Sequence, residues 1–183
     1  MAIKREFVRK HIGEFTIPVM TVELKEDIET GLLFSIDSTG KAIKADHTGW
    51  DSAENEKPAI GVIPYSSLEG FGEKFQFSRP EVLKAGEVID VFQYGILYSP
   101  EIIEEIKKAE AQEMMVLEVT KVKNEAEAMA KYINKPVYLG VQGKVTLEAV
   151  TNSNKGLQLV GYLVNPKTGA VRIEIKDRGV KKP

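Results

Sequence analysis

Two histidines, no cysteine and a scatter of carboxylates are the material for chemistry in this 183-residue chain. His47 lies in Asp46-His47-Thr48-Gly49-Trp50-Asp51, where an imidazole near two carboxylates offers an acid–base pair or part of a metal site. A tight metal site needs three or four convergent ligands, and neither HExxH nor a comparable spacing supplies them. The stretch reads instead as a polar loop whose Trp50 packs on the domain edge or on a partner. His11 stands apart. Ser66, Ser67 and Ser153 lie outside any GxSxG elbow, and neither histidine has a serine partner. Gly70-Phe71-Gly72 lacks the third glycine and the strand–turn–helix setting of a dinucleotide loop, and a phosphate-cradling GxxxxGKS/T is missing. Glu101, Glu104 and Glu105 read as a solvated helix face near the positive end of a dipole, not as a general-acid pair. Glu110, Glu113, Glu125 and Glu127 read the same way. The lack of cysteine removes disulfides, thiolate metal sites and cysteine nucleophiles together, and fits assembly in a reducing cytosol. The expectation is therefore no catalytic residue, no cofactor and no metal.

The elements that would position any site come from composition and pattern. The chain is 43% hydrophobic and 28% charged, an ordinary mix for a soluble protein with a core. A net charge of -2 with a pI near 5.8 argues against a general nucleic-acid binder. No apolar run approaches the roughly 20 residues that span a bilayer, and the charged start Met1-Ala2-Ile3-Lys4-Arg5-Glu6 is unlike a signal peptide.

Strand texture covers Phe15 to Leu24, Gly31 to Asp37, Lys41 to Ala45, Ala59 to Ile63, Lys74 to Phe77 and Val88 to Gln93. Ser38-Thr39-Gly40 marks a hairpin turn between the second and third of these, and Asp46 to Lys57 reads as a loop. The texture then changes. Ser99 is an N-cap, Pro100 suits the first helical position and Glu101 opens an acidic first turn. Ile102, Ile103 and Ile106 follow at helical spacing, with Lys107 and Lys108 towards the end of the dipole. A second helical pattern runs from Glu125 to Tyr132 behind Asn124, and Met114 to Val119 between them leans to strand. Strand texture returns at Val137 to Leu139, Lys144 to Val150, Leu157 to Val164 and Ala170 to Lys176. The sum is a mainly β protein, a sandwich or small barrel of short antiparallel strands with a helical insertion, α+β overall. Its divisions are an N-terminal arm or edge strand (1–14), a first β-unit (15–99), a helical segment (100–134), a second β-unit (135–176) and a tail (177–183), in one compact domain.

The two β stretches echo one another. GLLFSIDSTGKAIKAD (Gly31 to Asp46) parallels PVYLGVQGKVTLEA (Pro136 to Ala149), and AIGVI parallels LVGYLV, each with a central glycine. Duplication of one β-unit and chance likeness between generic hairpins are equally weighted. Phe71, Phe75 and Phe77, and again Phe92, Tyr94 and Tyr98, alternate as a sheet core would, with an interface as the minority reading.

PVYLGVQGKVTL, followed by LQLVGYLVNPKTGAVRIEI, resembles a pattern of small structural proteins from tailed phages and prophages. GLLFSIDSTGKAIKAD, KPAIGVI and LKAGEVIDVFQYGIL are similar to the turn, IGV strand and G-E-V segment of capsid decoration, or cement, proteins. Pro100 to Asn134 has no counterpart in that pattern. The resemblance implies a non-enzymatic virion protein, assembled in the host cytoplasm, that binds the capsid exterior through the major capsid protein. It implies a homo-trimer at three-fold positions, without direct nucleic-acid or membrane contact. Such a protein gains its effect from buried area and multivalency. A head-fibre or tail-associated β-module is the alternative, and a small-molecule-binding or hydrolytic β-barrel the more distant one. The candidate capsid-contact residues are Lys4, Arg5, Phe7 and Arg9, together with Trp50. The first four lie on Ala2 to Ile17, which reads equally as an arm adding a strand to a neighbour and as an edge strand of its own domain.

Overall fold

The computed structural model describes residues 5–8, 20–46, 57–63, 82–116, 130–147 and 158–175. In chain order these form β1 (Glu6–Val8), β2 (Met20–Glu23), β3 (Ile28–Glu29), β4 (Leu33–Ile36), β5 (Ala42–Lys44), β6 (Gly61–Val62) and β7 (Val82–Leu83). There follow β8 (Val88–Val91), β9 (Tyr94–Tyr98), α1 (Pro100–Val116), β10 (Pro136–Leu139), β11 (Val145–Thr146), β12 (Leu159–Asn165) and β13 (Ala170–Glu174). The protein is mainly β with a helix, built from several antiparallel sheets, one of them curled into a half-barrel.

The largest sheet has six strands in the order β1-β9-β13-β12-β10-β11. β5, β4 and β6 form a second sheet with β4 central, and β2–β8 and β3–β7 are two-stranded ribbons. The core is double. Leu97, Val137, Leu139, Leu163, Val171 and Ile173 of the large sheet pack with Ile102 and Ile106 of α1 and with Leu33 and Val62. Phe34, Ala42 and Ile63 face the other way, towards Val22, Leu24, Ile28, Leu83, Ile89 and Val91. The β5-β4-β6 sheet is thus a middle layer, which is why LLF at 32–34 is a continuous apolar run. Burying each such side chain is worth about 1.5–3 kcal/mol.

The helix α1 starts at Pro100, a residue suited to the first helical position, with Ser99 just before it donating to the Glu101 carboxylate, but it runs on to Val116. Met114 to Val116 is therefore helical, a correction to the strand expected there. Ala109-Glu110-Ala111-Gln112-Glu113 is made of strong helix formers that carry the helix through. Lys107 and Lys108 consequently sit in mid-helix, and the last turn has no basic residue. Of the second helical pattern, Ala130 is helical and Lys131 to Asn134 form a turn, which Asn134 closes at φ 62. Residues 117–129 and the expected strand at Lys74 to Phe77 lie outside the described residues. Three short strands escaped the sequence reading: β3, β7 and β9. β9 also crosses the division at Ser99, since it pairs with β13 of the second unit.

The echo between the two units is structural. Laying Gly40-Lys41 on Gly143-Lys144 carries Phe34, Ser35 and Ile36 onto Val137, Tyr138 and Leu139. Ser35↔Ile43 and Ile36↔Ala42 then coincide with Tyr138↔Thr146 and Leu139↔Val145. Phe34 lies opposite Gly61 as Val137 lies opposite Gly161. Strand order β5-β4-β6 repeats as β11-β10-β12. The hairpin tips differ. Gly40 (φ 81) has open space around it, whereas Gly143 (φ 76) is packed so that a Cβ would lie 2.4 Å from the Leu33 carbonyl oxygen. The second tip is docked on the first unit; the first tip faces solvent.

Candidate interaction surface

The inner face of the six-stranded sheet is core, and strand alternation sends the intervening residues outwards. In β9, Gly95 and Leu97 are buried, while Tyr94 is 51% exposed and Ile96 and Tyr98 are half-buried. In β10, Val137 and Leu139 are buried, leaving Pro136 and Tyr138 on the outer side. A register shift in the β10–β12 pairing between Val137 and Tyr138 puts Leu159 opposite Tyr138, and Leu159 is 41% exposed. Beyond the bulge Tyr162 faces outwards, beside Arg172 of β13.

Register draws these residues into rows. Pro136, Tyr162, Arg172 and Ile96 are successive cross-strand partners, Glu174 lies opposite Tyr94, and Ala170 lies opposite Tyr98. Gly161 permits the close approach of β12 and β13, because a Cβ there would lie 2.2 Å from the Arg172 carbonyl oxygen. The Arg172 guanidinium carbon stands 5.9 Å from the Tyr162 ring centroid, and its Nε donates to Glu174 at 2.8 Å. The face thus carries Tyr94, Tyr98, Tyr138 and Tyr162, four of the six tyrosines, around an internally paired charge. Tyrosine and arginine among aliphatic neighbours is the composition enriched where protein surfaces meet.

Elsewhere the polar side chains brace turns. Asp37 accepts from Thr39 N, Thr39 Oγ1 and Lys41 N in its own hairpin, and from Lys25 Nζ at 2.7 Å. The Lys25 ammonium, followed by the Thr39 hydroxyl, holds its carboxyl well below the usual carboxylate range. Asp27 is lowered by Lys84 and then by the Ala85 N–H, and Lys84 is raised in return. The Tyr132 hydroxyl donates to Glu110 at 2.8 Å, and burial, then that bond, raises the phenol. Lys131 and Lys135 lie 5.0 and 4.6 Å from its ring centroid.

Among the described residues no three His, Cys, Asp or Glu side chains converge, and no helix is long and apolar enough to cross a membrane. Lys4, Arg9, His11, His47, Trp50 and Asp51 lie outside the described residues. Arg5 turns its side chain inwards, donating to Glu29 and Glu101. Phe7 sits in edge strand β1, opposite Leu97. The sheet-core expectation for the second aromatic set holds for Phe92, which is 1% exposed, and fails for Tyr94 and Tyr98, which fall on the outer side. Alternation in YGILY was the available signal; alternation does not say which side is the core.

Comparison with known proteins gives no match to any family model, curated protein or solved structure.

Proposed function

We propose that the chain is a non-enzymatic structural protein of a tailed-phage virion, binding the exterior of the assembled capsid and stabilising it. The observation that carries this reading is the tyrosine face of the six-stranded sheet, a broad surface suited to docking on protein. The resemblance of the first β-unit to capsid decoration proteins, and of the second to small structural proteins of tailed phages, directs that surface to a capsid. The partner is the major capsid protein, and the chain acts as a homo-trimer on the virion exterior. Many weak contacts repeated over a lattice hold such a protein firmly, because linked sites raise the effective concentration of each next contact. Anything that binds the assembled shell in preference to its dissociated subunits stabilises the shell by mass action. Co-sedimentation of the purified protein with expanded, empty shells tests the reading, and its solution mass tests the trimer. Binding at a fixed ratio supports it; a folded protein that stays in the supernatant with every shell state overturns it.

A further inference from the structure

The strand β1 is short and one-sided. Among the described residues it pairs with β9 alone, through Glu6↔Tyr98, Phe7↔Leu97 and Val8↔Ile96. Three residues on a sheet edge hold weakly by backbone bonding alone. The residue just before it supplies a stronger hold. Arg5 lays its stem over Gly31, where a Cβ would come within 2.7 Å of the Arg5 Cγ. Its side chain is 11% exposed, and its guanidinium bridges Glu29 at the β3–β4 corner and Glu101 in the first turn of α1. The two carboxylates are unequal. Glu29 is 58% exposed, a solvated partner of the kind that contributes little. Glu101 is 20% exposed and fixed in place, since Ser99 Oγ donates to its Oε2 at 2.9 Å and Lys144 Nζ lies 3.8 Å from Oε1. Removing one partner of a partly buried pair leaves the other desolvated and uncompensated.

We propose that Arg5 and Glu101 form a latch for β1, which opens as a strap independently of the rest of the sheet. Opening unpairs the outer edge of β9, the strand that carries Tyr94, Ile96 and Tyr98. The latch stands on intrachain geometry and does not depend on what the tyrosine face binds.

Hydrogen exchange read by mass spectrometry on the full chain tests it. In Glu101→Gln, peptides covering Glu6 to Val8 and Tyr94 to Tyr98 exchange about tenfold faster or more, while Leu159 to Glu174 keeps its protection. Glu29→Gln changes the same peptides by about twofold at most. Arg5→Lys keeps the charge but loses the fork and gives an intermediate acceleration, and it serves as the test should Glu101→Gln not fold. Two results overturn the latch. One is unchanged exchange in β1. The other is a uniform acceleration across all peptides, which would make Glu101 a brace of the whole fold.

Discussion

The side-chain amide of Gln158 grips the backbone of Ala59 at both ends: Ala59 N donates to Oε1 at 2.7 Å, and Nε2 donates to the Ala59 carbonyl at 2.8 Å. Both groups are buried, and they belong to corresponding places, just before β6 and β12, the last strand of each three-stranded repeat. Gln158 stands in for a strand where the two units meet. Leu139 N also donates to the Gln158 carbonyl at 2.9 Å, so the contact reaches the second hairpin.

Gln158→Leu leaves the N–H and C=O of Ala59 buried without that partner. Each buried unsatisfied group costs about 1–3 kcal/mol, so the expected loss for the two is about 2–6 kcal/mol. Urea unfolding measures it, with the midpoint lowered and the slope unchanged. A loss under about 0.5 kcal/mol, the range of an ordinary surface change, would mean the amide contributes no cohesion between the units.

The paired tip glycines separate conformation from packing. Gly40→Ala meets only the positive φ and open space, and should cost about 1–2 kcal/mol. Gly143→Ala has a similar φ but drives its methyl into the Leu33 carbonyl, so it should lose about 3 kcal/mol or more, or fail to fold. Equal costs in thermal unfolding would contradict the docking of the second hairpin on the first unit.

Acid stability should report Asp37. Its folded pKa lies below the ordinary aspartate value of about 3.9, so its contribution is complete above about pH 4. That contribution is lost as pH falls from there through the folded value. Asp37→Asn should lower the melting temperature at neutral pH and flatten the acid limb by about one proton's worth of slope. An acid limb identical to that of the unsubstituted protein would remove Asp37 from the account.

Local chemistry announced much of this fold. Ser99-Pro100-Glu101 marks the start of α1, and the Gly40-Lys41 and Gly143-Lys144 turns mark both hairpins, because caps and positive-φ turns are fixed by neighbours in sequence. Met114 to Val116 misled because its apolar run fits strand or helix equally, and the preceding helix formers decide. β3 and β7 are two residues each and are defined by pairing with one another, Ile28 with Leu83 and Glu29 with Val82. The tyrosine face was hidden for a related reason. Tyr94, Tyr138 and Tyr162 come from three distant strands, and only the register of β9-β13-β12-β10 sets them on one surface. In the sequence Arg5 is a candidate capsid contact on a basic N-terminal stretch. Its glutamate partners lie far along the chain, so nothing in its own neighbourhood signals that it is held within the fold.

Shell occupancy by the unsubstituted protein and by the double variant Tyr94→Ser, Leu159→Ser tests the central claim most directly. Both side chains are exposed, so the variant should keep its stability within about 0.5 kcal/mol. The account predicts saturable binding of the unsubstituted protein to expanded capsids at a fixed ratio to the major capsid protein. It predicts at least a thirtyfold weakening in the variant, about 2 kcal/mol for lost interface anchors. Equal occupancy by the two proteins would remove the tyrosine face from the contact. No binding of the folded, unsubstituted protein to any shell state would contradict the capsid role itself.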